Sequence, residues 1–124
     1  MERFLLISIG AIVGANARYW VGDWAATRFG TAFPFGTLLV NLTGSLILGI
    51  FLTLATERFL WDPRWRVLIA IGFCGSYTTF SSYTYESMNL ILRGQFVLGS
   101  LNLLGSAVLG GIVMLVGIWI GRWI

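Results

Sequence analysis

The chain has 124 residues, 57% hydrophobic and 10% charged, with a formal net charge of +3 and no histidine. A soluble domain carries about 25% charged residues, so this chain has too little polar surface to cover a globule and reads as a membrane protein. Its basic residues are all arginine and lie scattered between hydrophobic segments, which points to membrane-interface anchors and away from nucleic-acid binding.

The absence of histidine removes the commonest metal ligand and the usual proton shuttle. Cys74 is the only cysteine and reads as a small buried apolar residue. No catalytic constellation is left, so the chain is not expected to be an enzyme. Met1-Glu2-Arg3 leads directly into an apolar run interrupted by Gly10 and Gly14. No small-residue cleavage site follows, so this run is expected to be a first span rather than a removed signal.

Extended through Arg18, that first run reaches membrane-crossing length, and residues 29–56, 67–85 and 94–121 are free of charge. Four transmembrane helices are therefore expected, over 4–24, 34–56, 66–92 and 96–121, joined by short connections. They form a single four-helix domain spanning 1–124. In the first helix, Gly10 and Gly14 lie four apart and permit close helix approach. Arg18, followed by Tyr19 and Trp20, fits either a side chain snorkelling to the interface or a buried structural cation at a pore mouth.

The second helix opens on Pro34, suited to a first turn. Thr37, Asn41, Ser45 and Gly49 recur every four residues and give it one small, polar stripe. An amide at membrane depth needs a partner, so Asn41 faces either a neighbouring helix or a pore. Residues 57–66 hold charges and two tryptophans and read as an interfacial connector. The fourth helix is glycine-rich, and Asn102 and Ser106, four apart, form a second polar stripe. Arg3, Arg58, Arg64, Arg66 and Arg122 fall on one side of the membrane, with Arg28, Arg93 and Arg18 on the other. That bias is weak enough to permit insertion in either orientation.

The third span is the anomaly. From Gly72 to Glu86 it reads Gly-Phe-Cys-Gly-Ser-Tyr-Thr-Thr-Phe-Ser-Ser-Tyr-Thr-Tyr-Glu, a run of hydroxyls and rings that lipid would reject. Two glycines followed by Ser76, Tyr77, Thr78 and Thr79 put weak helix formers together, and a break is expected there. Carbonyls freed by a break would be satisfied either by Ser and Thr hydroxyls or by a small hard cation. Beyond it, Phe80, Tyr83 and Glu86 fall three apart, as an aromatic packing ridge or as the lining of a path. Glu86 is the only carboxylate well inside a span. The residues support a pathway for a small ion and leave the sign of that ion open.

These motifs together resemble the small bacterial fluoride channels known as Fluc or CrcB. The resemblance rests on Gly14 and Arg18-Tyr-Trp, on Gly36-Thr37-Leu-Leu-Val-Asn41-Leu, and on Gly72-Phe-Cys-Gly75-Ser-Tyr-Thr78-Thr79-Phe80-Ser81, and it covers the whole chain. It implies an all-α membrane protein with four transmembrane helices, the third broken near its middle, assembled as an antiparallel dual-topology homodimer. It implies a multi-pass protein of the bacterial inner membrane whose partners are fluoride, the lipid bilayer and a second copy. A structural sodium ion that is not transported is implied at the dimer interface, held by the backbone carbonyls of Gly75 and Thr78. The anion pathway implied by position takes in Asn41, Thr79, Phe80, Tyr83, Glu86, Asn102 and Ser106, with Arg18 structural or at the pore mouth. The family core reads Gly-Gly-x-Thr-Thr-Phe-Ser-Thr-Phe-Ser, so Tyr83 stands where the second phenylalanine is usual.

The function expected from this resemblance is passive export of fluoride. The neutral acid enters a cell from acidic surroundings, dissociates, and leaves as the anion through a pore. A small proton-coupled multidrug transporter is the alternative, but it calls for a central acidic residue in the first helix, which this chain lacks. A packing subunit of a larger membrane complex is a second alternative; it predicts that the isolated chain passes no ions.

Overall fold

The first apolar run is helical throughout, and its short polar side chains find their partners on their own helix. Ser8 Oγ donates to the Phe4 carbonyl (2.7 Å), Asn16 Nδ2 to Ile12 (2.7 Å) and Thr27 Oγ1 to Asp23 (3.0 Å). Such internal satisfaction is what a helix in hydrocarbon requires. In the computed structural model, which describes Met1–Ile124, this helix is α1 (Glu2–Phe29). It stops at Gly30, whose φ of 80° is readily reached only without a side chain.

Helix α2 (Phe35–Arg58) starts immediately after Pro34 and widens over Leu54–Arg58 into i→i+5 bonding. Asp62 caps the next helix, its Oδ1 accepting from the Arg64 amide at 2.9 Å, with Pro63 in the first position. That helix, α3 (63–77), is α-helical over Pro63–Trp65, π-helical over Arg66–Cys74 and α-helical again over Gly75–Tyr77. Helix α4 (Phe80–Leu92) and helix α5 (Phe96–Trp123) complete the chain, and α5 contains a third π-helical stretch over Leu101–Gly105. The molecule is all-helical.

Three helices are long and apolar enough to cross a membrane: α1, α2 and α5. They correspond to the expected spans at 4–24, 34–56 and 96–121. The expected span over 66–92 is occupied by α3 and α4. Between these, Thr78 (φ −81°, ψ 159°) and Thr79 (φ −148°, ψ 122°) are extended.

Small residues set the packing. A Cβ on Gly10 of α1 would lie 2.9 Å from the Gly72 Cα of α3, and one on Gly36 would lie 2.9 Å from the Gly22 Cα. A Cβ on Gly117 of α5 would meet the Leu46 carbonyl of α2 at 2.7 Å. Backbones therefore touch backbones at three helix crossings, the close approach that stabilises helix pairs in lipid. Only 19 of 124 residues are buried, and the large apolar side chains point outward, as suits a protein solvated by acyl chains. At one end, Arg64 pairs with Glu2 (3.0 Å) and Arg122 with Glu57 (2.9 Å). Both pairs are exposed and contribute little.

Candidate ion pathway

The two extended threonines organise the site. Thr79 cannot use the helical ladder, and Asn41 of α2 replaces it: Asn41 Nδ2 donates to the Thr79 carbonyl (3.0 Å) while Oδ1 accepts from the Thr79 amide (2.8 Å). The side-chain amide thus imitates a strand partner for one residue. Thr79 Oγ1 in turn accepts from the Ser82 amide (3.2 Å) and caps α4. Thr78 is held from the other side, its amide and hydroxyl both donating to the Cys74 carbonyl at 3.0 and 2.9 Å. Behind the break, Tyr77 is buried with its hydroxyl 2.8 Å from Thr43 Oγ1.

This arrangement has a consequence for two carbonyls. In a continuous helix the Thr79 amide would bond to Gly75 O and the Ser82 amide to Thr78 O. Here those amides donate to Asn41 Oδ1 and Thr79 Oγ1. Gly75 is exposed, and a Cβ there would meet nothing nearer than 3.8 Å. The Gly75 and Thr78 carbonyls are therefore diverted from their helical donors. Oxygen donors of this kind suit a small hard cation such as sodium.

Asn41, Thr79, Phe80, Tyr83 and Ser106 meet on the wall of one cavity of about 340 Å³, together with Gly44, Ser45, Thr78 and Gly110. Phe80 is 78% exposed, and its ring lies 5.8 Å from that of Tyr83. Thr79, which caps α4, and Phe80, its first residue, both line this cavity. Thr79 also lines a second cavity with Arg18, Thr37 and Ser82. Thr37 links that to a third, which includes Glu86, and Glu86 links the third to a fourth containing Asn89 and Arg93. The four concavities thus form a series in which each shares a lining residue with the next.

Two expected pathway residues lie off the first cavity. Glu86 lies farther along the series, its Oε1 accepting from Thr37 Oγ1 at 2.9 Å. Asn102 is 2% exposed and lies behind the wall, donating to Ser87 Oγ (2.8 Å) and accepting from Ser106 Oγ (3.1 Å). Arg18 is half-buried on the second cavity. Ser45, Thr37 and Ser82 line the series without having been singled out as site residues. The four-residue stripe of α2 was the signal for Ser45 and Thr37. Ser82 follows from the cap at Thr79, which depends on the break itself.

Helices long and apolar enough to cross a membrane, with concavities between them that carry hydroxyl and amide side chains, define a polytopic α-helical membrane protein. The family model described as CrcB-like protein, Camphor Resistance (CrcB), matches residues 5–118. The chain belongs to the CrcB family. It is 53% identical over 109 residues to the fluoride-specific ion channel FluC of Koribacter versatilis, covering 88% of this chain and 86% of that one. It is 48% identical over 103 residues to the protein of the same name from Sulfurihydrogenibium sp., covering 83% of each. The one from Chloroflexus aurantiacus is 42% identical over 123 residues, covering 99% of this chain and 98% of that one.

Proposed function

We propose that this protein is a passive fluoride channel of the bacterial inner membrane, lowering cytoplasmic fluoride. The observation that carries the reading is the convergence of Asn41, Thr79, Phe80, Tyr83 and Ser106 on one cavity in the membrane-spanning region. A small anion loses its hydration there and needs donors that compensate without trapping it. Amide, hydroxyl and ring-edge groups supply such donors, and no fixed cation lines that cavity. The relatives named as fluoride-specific channels support the identity of the anion.

The functional unit is an antiparallel, dual-topology homodimer. Phe80 and Gly75 are exposed on the single chain at a depth where polar backbone needs cover, and a second copy provides it. α3 and α4 are the halves of one broken span. The carbonyls of Gly75 and Thr78 would hold a sodium ion between the copies, where it offsets their converging dipoles and is not itself transported. Asn41 positions Thr79, Phe80 and Tyr83 present their ring edges, and Ser106 supplies a hydroxyl from α5. Arg18, Thr37, Ser82 and Glu86 line the approach.

Expression in a bacterium lacking its own fluoride exporter tests the function. Growth in fluoride should be restored by the wild-type chain and not by Phe80→Ile at equal protein level. Sensitivity equal to that of the empty strain would refute the reading.

A further inference from the structure

The hydrogen bonds behind the cavity wall form a directed chain, and its direction is fixed by one atom. The Tyr83 backbone carbonyl accepts only, so the Ser87 hydroxyl 2.7 Å away must donate to it. With that proton committed, Ser87 Oγ can only accept from Asn102, which places Asn102 Nδ2 against it at 2.8 Å. Asn102 Oδ1 then faces Ser106, and the Ser106 hydroxyl must donate to it, at 3.1 Å. The Tyr83 phenol is committed as well, donating to the Leu103 carbonyl within the π-helical stretch. Both hydroxyls that α4 and α5 bring to the cavity therefore give their protons to amide carbonyls.

An anion entering the cavity takes the Ser106 proton only by accepting a hydrogen bond better than Asn102 Oδ1 does. Fluoride is a far stronger hydrogen-bond acceptor than chloride. We propose that Asn102, 2% exposed and outside the cavity, is a positioning residue that tempers the hold on the anion: its side-chain carbonyl competes for the Ser106 hydroxyl, yields it to fluoride, the stronger acceptor, and keeps it against chloride, so that fluoride is bound less tightly than a free hydroxyl would bind it. Its burial and its bond to Ser87 keep the amide from rotating, so the competitor stays in place. This inference rests on the fluoride-channel reading and adds a positioning role that no cavity contact reveals.

The wild-type dimer labelled with 13C at asparagine and reconstituted in lipid provides the first test. Fluoride should shift the Asn102 Cγ resonance as Ser106 turns away, equal chloride should not, and Ser106→Ala should abolish the response. Flux provides the second. In Asn102→Ala the competitor is gone, so the half-saturating fluoride concentration should fall by about fivefold, the factor a neutral hydrogen bond is worth. In a Ser106→Ala background the same change should have no effect. A silent Asn102 Cγ, an equal response to chloride, or an unchanged half-saturation in Asn102→Ala would each overturn the inference while wild-type fluoride flux stands. A wild type without fluoride-selective flux would instead overturn the channel reading beneath it. Should Asn102→Ala fail to fold, the wild-type resonance decides alone.

Discussion

Asn41 bonds to both backbone polar atoms of Thr79, at 3.0 and 2.8 Å, and so fixes an extended residue within a membrane-spanning region. Asn41→Asp replaces the donor with a second acceptor facing the Thr79 carbonyl. The expected result is a loss of stability of about 1–3 kcal/mol, the desolvation penalty of an unsatisfied buried group, with strongly suppressed fluoride flux. Thermal unfolding in detergent and liposome efflux check the two parts. Normal flux would remove Asn41 from the pathway.

Phe80→Ile removes a ring edge and keeps a comparable apolar volume. Because Phe80 is 78% exposed on the single chain, the fold does not depend on it. Flux should be suppressed while the dimer elutes unchanged on size exclusion. Full flux would show that the ring is a packing element only.

The helix crossings separate glycines that are needed from those that are not. Gly10→Ala would drive a Cβ into the backbone of α3, 2.9 Å from the Gly72 Cα, where nothing flexible yields. Overpacking of this kind costs about 1–3 kcal/mol. Gly110→Ala meets nothing within 4 Å in the chain, so the protomer should tolerate it. Their unfolding midpoints in detergent should therefore part, with Gly10→Ala clearly lower.

Sodium linkage follows from the diverted carbonyls of Gly75 and Thr78. A ligand that binds only the folded dimer raises its stability by mass action. Exchange of sodium for a large organic cation should lower the dimer's unfolding midpoint, and sodium should restore it. Indifference to sodium would remove the ion from the account.

Much of this was legible in the chain. The apolar runs located α1, α2 and α5, and the weak helix formers at 75–79 marked the stretch where Thr78 and Thr79 are extended. What was hidden came from how the helices face one another. Asn102 and Ser106, four apart, do share a face, with Ser106 Oγ donating to Asn102 Oδ1 at 3.1 Å, but Asn102 is buried against Ser87 of α4, so of the two only Ser106 lines the cavity. Glu86 was grouped with Phe80 and Tyr83 by spacing of three. Each such step falls short of a full turn, and over two steps the drift is about a third of a turn, carrying Glu86 to the later cavities. The directed chain through Ser87 joins helices whose pairing no local pattern specifies.

The most direct test of the central claim is efflux from liposomes containing the purified wild-type protein, followed with a fluoride electrode and, in parallel, a chloride electrode. The account predicts rapid fluoride release without comparable chloride release, collapsing to the protein-free rate in Phe80→Ile. Fluoride efflux no faster than from empty liposomes, or equal release of chloride, would contradict it.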